Sequence, residues 1–574
     1  MNALGMDFVL LIAMKNSSRL QKFLKIIFII IGALVLVIVG TGLYLSRHWS
    51  NKLRSQLKDY TTEMSDSLYV LNYKKVKLNI LSGSLTIDSV SLITDTAVYH
   101  HLQAQQKAPS MLYSFSADRV SLQFFKAWRY FIKKELSAGS LVLEKPSIVL
   151  EQNARNVDTS RHRSAYENLS SRIRSLSIGS LRLDSTNLKY TYIKKDSGLI
   201  ITQLHRLSIH VKDLLIDSVA MEDPSRFLYA RNYELHLRAY RHRTKDSLYW
   251  MIVRDVSYNA AERTLRLGQF RVEPRYEKAA FDRKIKYQRD RYDVRLNNIL
   301  VQELQPYALL QQQQLWARHV EIENGNIEIY HNRSLPPSGE IKTGQFPHQL
   351  LQKLAVPVYV DTLIGKKVEL SYAEVNPKSR QTGTLLFKQV HGVFRNVTNI
   401  DSMIAKNKHL VADMDAVFMQ SGMLRARFDF ILGEPHGAFA ITGQLKDMDG
   451  RQLTPVTRPL ALVEVKSAQI HDLTFSMQGN EKGATAEVKM IYDHLKISIL
   501  KKDDDTHQLK RKGLLSLFAN VIAINDSNPS DNGAPVKISH VKYTRDPEKS
   551  FFNLVWKTLF TGVKETAIAA NIKL

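Results

Sequence analysis

Two histidines, His205 and His210 in HRLSIH, come nearest to a metal-binding spacing in this chain. A zinc-binding helix needs imidazoles at i and i+4 on one face. In an extended strand, a separation of five puts the two rings on opposite faces. Asp503-Asp504-Asp505 would offer oxygen ligands to a hard cation. These residues lie within KKDDDTHQLKRK, where lysine and arginine compete for the carboxylates, so the stretch reads as a solvated hairpin loop. There is no Gly-rich phosphate loop and no H-E-x-x-H. The 574 residues include no cysteine, which removes thiolate nucleophiles, disulfides and Cys-ligated metals together. The 18 histidines are scattered, and no spacing positions a Ser-His-Asp triad. The expectation is a non-enzymatic protein with no cofactor and no metal site.

Since no chemistry is positioned, the organisation of the chain carries the information. Ile26 to Leu45, IIFIIIGALVLVIVGTGLYL, contains no charge. As a helix it would cover about 30 Å, the thickness of a bilayer's hydrocarbon core. Soluble helices of that length rarely lack a polar face. Lys15, Arg19, Lys22 and Lys25 precede the span and favour a cytoplasmic N-terminus. Arg47, Lys52 and Arg54 follow and weaken that bias without reversing it. No small-residue cleavage site follows directly, so an uncleaved anchor is expected. The basic run after Met14 would also suit a natural start at Met14 rather than Met1.

The charge balance is 80 − 55 = +25, partly concentrated in residues 226 to 295, where 18 Lys/Arg face 9 Asp/Glu. Behind an export anchor, anionic lipid headgroups suit this field better than nucleic acid. A solvated basic face that keeps the protein soluble is the plainer alternative.

Residues 46–75 read as a helical stalk, with Leu53, Leu57, Tyr60, Met64 and Leu68 near helical spacing. The period then changes to two: Val76, Leu78 and Ile80 alternate with polar residues, Ser82-Gly83-Ser84 intervenes, and Leu85 and Ile87 resume. Similar strand–Gly–strand units recur at LSAGSLVLEKPSIVL around Gly139, LSIGSLRLDSTNLKYTY around Gly179, VEIENGNIEIY around Gly325 and VDTLIGKKVELSY around Gly365. Their irregular spacing argues against a propeller or a short-period solenoid and for one long sheet of similar strand pairs. Helices are predicted at Leu122–Leu136 and Ile299–Trp316, and a Pro-rich boundary over 333–357. Hairpins are predicted where Phe428 and Phe430 run into Gly433–Gly437, and where Phe475 and Met477 run into Gly479–Gly483. In SFFNLVWKTLFTGVKETAI, Phe552, Val555, Trp556, Leu559 and Val563 fall on one helical face. That amphipathic helix would cap the end of the sheet or lie on a membrane.

The anchor, the stalk and VKLNILSGSLTIDSVSLITDT together resemble the N-terminal region of AsmA-like bacterial envelope proteins. VSLQFFKAWRYFIKKELSAGSLVLEKPSIVL extends the resemblance, with Pro146 before the next strand. So does the run from Tyr492 through SLFANVIAINDSNP to FFNLVWKTLFTGVKE. It is best over residues 20–192 and 420–565. The resemblance implies a mainly β protein: a transmembrane helix, then a long curled antiparallel-rich sheet forming an apolar β-groove, a few short helices and a C-terminal amphipathic helix. It further implies an architecture similar to bridge-like lipid-transfer proteins, which move phospholipid between the membranes of Gram-negative cells, and it brings no catalytic residues.

The expected organisation is a cytoplasmic segment 1–25, anchor 26–45, stalk 46–75, groove regions 76–332 and 358–550 separated by 333–357, and a C-terminal helix 551–574. The groove face is assigned to Leu78, Ile80, Leu85, Ile87, Leu141, Leu143, Leu181, Leu183, Ile327, Ile329, Phe428 and Phe430, and the cap to Phe552, Trp556 and Leu559. Expected partners are phospholipid acyl chains in the groove, the inner membrane through the anchor, and an outer-membrane or periplasmic protein, with the bulk of the chain periplasmic. The alternative function is a structural or regulatory envelope protein that assists outer-membrane protein assembly.

Overall fold

A computed structural model describes residues 67–79, 82–156, 166, 173–196, 198–220, 222–223, 225–502, 509–511, 525–530 and 533–567. The expected anchor at 26–45, Ile80 and the Asp503–Asp505 run lie outside these residues. Among the described residues no helix is long and apolar enough to cross a membrane.

The first strands are β1 (Tyr69–Asn72), β2 (Lys75–Asn79), β3 (Ser84–Thr94), β4 (Met111–Gln123), β5 (Glu135–Glu144), β6 (Ser147–Asn153), β7 (Ser175–Ile193) and β8 (Leu199–Ile216). Next come β9 (Ala230–Arg243), β10 (Tyr249–Asn259), β11 (Thr264–Pro274), β12 (Asp290–Gln302), β13 (Leu315–Asn332), β14 (Val358–Val375) and β15 (Thr382–Thr398). The last are β16 (His409–Phe418), β17 (Gly422–Ile431), β18 (Phe439–Asp449), β19 (Val463–Asn480), β20 (Gly483–Lys502), β21 (Leu509–Arg511) and β22 (Ile538–Thr544). Among the described residues helices sit in the connections, α1 (Thr96–Ala104), α2 (Ala127–Lys133), α3 (Lys278–Ile285), α4 (Pro306–Gln311), α5 (Pro347–Gln352), α6 (Asp401–Lys406) and α7 (Thr454–Ala461), and after the last strand, α8 (Phe551–Ala567).

Apart from β21, which forms a small separate ladder on β20, 21 strands make one mixed sheet. From β7 to β20 each strand pairs with the next in sequence, and β22 closes on β20. Pairing is antiparallel except at β5–β7, β6–β7 and β13–β14. β1 and β2 share one flank of β3, and β5 and β6 share one flank of β4. The 21 strands therefore fill 21 − 2 = 19 positions, about 85–90 Å along the sheet at ~4.8 Å per strand. The sheet runs unbroken past residues 333–357, since β13 and β14 are hydrogen-bonded neighbours.

Several expectations change. Tyr69–Asn72 is a strand where the stalk was expected to remain helical to 75; Tyr69, Val70 and Leu71 pair with Thr94, Ile93 and Leu92, so cross-strand contacts outweigh the local helical spacing. The helix expected at Leu122–Leu136 shrinks to α2, and that at Ile299–Trp316 to α4, because their flanks are taken up by β4, β5, β12 and β13. The glycines at 139, 179, 325 and 365 do not separate strand pairs. Each lies inside one continuous strand, and only Gly83 occupies a turn. Both C-terminal hairpins form where expected, β17–β18 and β19–β20.

Pairing skips a position along a line across the sheet. Ser89, Ser185, Arg206, Asp255, Asn298, Lys367 and Gln389 lie on that line, each left-handed with φ between 50° and 56°. Asp255 falls opposite Gly268, and Gly268 opposite Asn298, each outside the ladder its neighbours keep. A Cβ on Gly268 would stand 3.0 Å from the Asp255 Cβ, so the crease passes closely here. Such interruptions bend strands and add twist. Aligned in neighbouring strands, they fold the sheet along one crease.

Candidate functional site

The register aligns one row of apolar side chains across the sheet. It runs Val76–Ile87–Val120–Leu143–Leu183–Ile209 over β2 to β8. It continues Leu235–Tyr258–Leu265–Val301–Val320–Leu363 over β9 to β14. It ends Phe394–Ala412–Phe428–Ile441–Met477–Ala486–Val541. A second row, beyond the crease, links Met251, Val272, Val294, Ile327, Leu370 and Phe387. The neighbouring row on the opposite face reads Asp413–Arg427–Thr442–Ser476–Glu487–His540. One face is therefore apolar over nearly the whole sheet and the other polar, the pattern of a sheet with one solvated side.

The apolar face is covered unevenly. Leu85, Ile87, Leu141, Leu143, Leu181 and Leu183 are all buried in one packed cluster of the first strands, with Leu183 at 0 % exposure. Leu78 pairs with Leu85 on that stretch of sheet. At the far end, α8 lays Phe551 and Leu554 into a cluster containing Met477, Val488 and Val541. Phe430 is buried there, and Phe428 packs partly buried against it. Across β12 to β15, Val294, Ile327, Ile329, Leu363, Leu370 and Phe394 are only half-buried. Ile80 lies outside the described residues; the other expected groove residues from Leu85 to Phe430 share one face, but they divide into a packed end, a less covered middle and a helix-capped end.

Helix α8 is rotated from its expected orientation. Its buried stripe is Phe551, Leu554, Thr558, Gly562 and Thr566. Phe552 is 62 % exposed, and Trp556 and Leu559 flank the stripe half-buried. The small residues admit the helix close to the sheet: a Cβ on Gly562 would lie 2.5 Å from Val488 Cγ2. Scoring side chains by hydrophobicity alone hides a stripe that contains threonine and glycine.

The connection 333–357 is a strap. Parallel β13 and β14 need a crossover, and this one reaches far beyond its own strands. The Gln288 amide donates to Pro336 O at 2.9 Å, and the Lys342 amide to Pro547 O at 2.8 Å. The Gly344 amide donates to Glu481 Oε1. Phe346, fully buried, packs on Phe439 and Phe551 with its ring under the Arg545 guanidinium. Gln352 Nε2 then donates to Thr398 O at 3.0 Å on the way to β14. Phe439 neighbours Ile441 on the apolar face, so the strap lies over that face. The Pro content marked a boundary between halves; the structure instead ties them together there.

Several titratable groups pair across neighbouring strands. Burial opposes ionisation of Asp290, yet the His331 imidazole 2.7 Å away, helped by Lys342 and Tyr292, holds its carboxyl below the usual range. The same burial, with Asp290 beside it, pushes the Tyr292 phenol up. His210 lies by Ser180 and Glu234, and His205 by Asn187. The crease residue Arg206 lies between the two histidines, so their separation does not follow simple alternation. Among the described residues no three His, Asp or Glu side chains converge as a metal site.

No protein-family model and no curated protein matches this sequence. The function must therefore be argued from the apolar face itself.

Proposed function

We propose that this protein binds phospholipid acyl chains along the apolar face of its sheet and passes lipid between membranes, as a non-enzymatic envelope protein anchored in the inner membrane by Ile26–Leu45. The observation that carries the reading is the half-buried apolar stretch on β12 to β15, continuous in register with the rows on either side. Leaving large aliphatic side chains partly in water forgoes about 25 cal/mol for each Å² left uncovered. An acyl chain laid along Ile327, Leu363 and Leu370 would recover it. The AsmA-like sequence features and the basic charge are compatible with a lipid partner and with the periplasmic location expected behind such an anchor.

Lipid extraction from the purified full chain, read by mass spectrometry, tests this. Co-purifying phospholipid is expected, with a several-fold loss in Ile327→Arg and Leu370→Arg variants that still fold. Absence of lipid from the wild type, or undiminished lipid in folded variants, overturns it.

A second reading, a structural or regulatory protein assisting outer-membrane protein assembly, is favoured by one observation. The leucines of β5 and β7 are buried in a closely packed cluster, which leaves no open apolar surface between them for lipid.

A further inference from the structure

The connection from β4 to β5 carries α2 at the ends of two interior strands. Phe124 is 67 % exposed, Trp128 54 % and Ile132 74 %. A side chain this apolar usually finds cover, and three within nine positions of one short connection form a patch rather than scattered surface residues. Lys126, Arg129, Lys133 and Lys134 are interleaved with them, with no acidic residue between Phe124 and Lys134. Arg129 leans toward the Trp128 ring at 5.7 Å and reaches Glu135 at 3.9 Å.

The connection is fixed to the sheet. The Phe125 amide donates to Gly83 O, and the Lys126 amide to Ser137 O, both at 2.9 Å. A Cβ on Gly139 would meet Phe124 Cδ2 at 2.9 Å, and one on Gly83 would meet Phe125 O at 2.6 Å. The glycines of the first two sequence units therefore seat this segment, which explains why those positions are small.

We propose that the Phe124–Lys134 connection docks on an anionic lipid bilayer. Trp128 and Ile132 would enter the interface, where indole rings and aliphatic side chains are favoured, while the basic groups meet headgroup phosphates. Charge complementarity selects this occupant: an apolar protein surface would not need four surrounding cations, whereas a membrane surface uses both features. The inference concerns a different surface from the open face of β12 to β15 and does not require lipid to bind there.

The chain lacks cysteine, so the full-length protein accepts one reporter. Ile132→Cys carrying an environment-sensitive fluorophore is mixed with phosphatidylglycerol-containing vesicles, and Ser476→Cys on the polar face serves as control. A blue shift at 132 with strong quenching by acyl-chain spin-labelled lipid is expected, and none at 476. Charge reversal at Lys126 and Lys133 should remove most of the shift, as should pure phosphatidylcholine vesicles. An unshifted reporter at 132 overturns the proposal, as does a shift that lipid spin labels do not quench, which would mean protein covers the patch. Equal shifts after charge reversal also overturn it. The reporter reads contact at this connection whatever holds the chain to the vesicle, and lipid extraction can fail without affecting it.

Discussion

Phe346 and Phe551 pack edge to face, ring centroids 5.0 Å apart and both buried, and so join the β13–β14 crossover to the last helix. Phe439 meets both rings at right angles or nearly so. Three remote segments therefore close on one aromatic contact. Phe346→Ala should cost about 3–5 kcal/mol and release strap and helix together. Thermal melting would give the loss, and limited proteolysis should show new cleavage in 333–357 and near 551. Cleavage in the strap alone would mean that the helix holds without it.

His348, two residues further along the strap, stacks on Phe430 at 4.9 Å. Among the described residues neither of its ring nitrogens has a hydrogen-bond partner. Burial pushes its pKa down to about 4, against the pull of Glu434 and Glu481. A base whose folded pKa lies below its unfolded value of about 6.5 binds fewer protons when folded. Its neutral burial is free of penalty above that value, and stability is lost as pH falls from 6.5 toward 4. Between pH 7 and pH 5 the loss should be about 2 kcal/mol. His348→Phe should remove most of it, seen as a smaller drop in Tm between those pH values. An unchanged drop would assign the acid sensitivity elsewhere.

Gly562 reverses the usual effect of alanine in a helix. Gly→Ala normally stabilises a helix interior by about 1 kcal/mol, but here the new methyl would sit 2.7 Å from Val488 Cβ. Overpacking of about 1–3 kcal/mol should win, so Gly562→Ala is expected to lower stability. Adding Val488→Ala should recover part of the loss. A double-mutant cycle by urea unfolding would measure the coupling, and additivity would mean that α8 does not press on β20 at this point.

The sheet and its two faces were legible because alternation is a local property. Leu141 with Leu143, and Phe428 with Phe430, stand two apart, and the sequence needs nothing more to place each pair on one face. What covers each stretch of that face was not legible. Leu183 and Ile327 have similar sequence surroundings, yet one is sealed and the other half-open, because cover comes from segments far away in the chain. Alternation also fails wherever the crease intervenes. Val253 and Val256 are three apart, an odd step across Asp255, yet both pack into one cluster with Leu267. Only the left-handed residue between them makes that possible, and Asp, Asn, Ser, Lys and Arg all fill that role here, leaving no single-residue signature.

The crease supplies the last prediction. Asn298 is exposed, holds φ at 51° and donates from Nδ2 to Glu323 Oε2 at 2.7 Å. Its side chain is packed in no core, so substitutions there report mainly on backbone conformation. Glycine accepts a left-handed φ without steric strain, at an entropic cost of up to about 1 kcal/mol, so Asn298→Gly should cost less than the β-branched change even with one exposed hydrogen bond lost. A β-branched residue is a steric outlier there, and Asn298→Val should cost about 1–3 kcal/mol. Ser476→Val, at an exposed and regularly paired strand position, is the control. Valine suits a pleated strand, so that change should be neutral or slightly stabilising. Urea midpoints of the three variants separate the effects. If Asn298→Val matches Ser476→Val, position 298 is ordinary strand and the sheet does not bend there. If Asn298→Gly is as damaging as Asn298→Val, the contact with Glu323 rather than the backbone angle holds the crease.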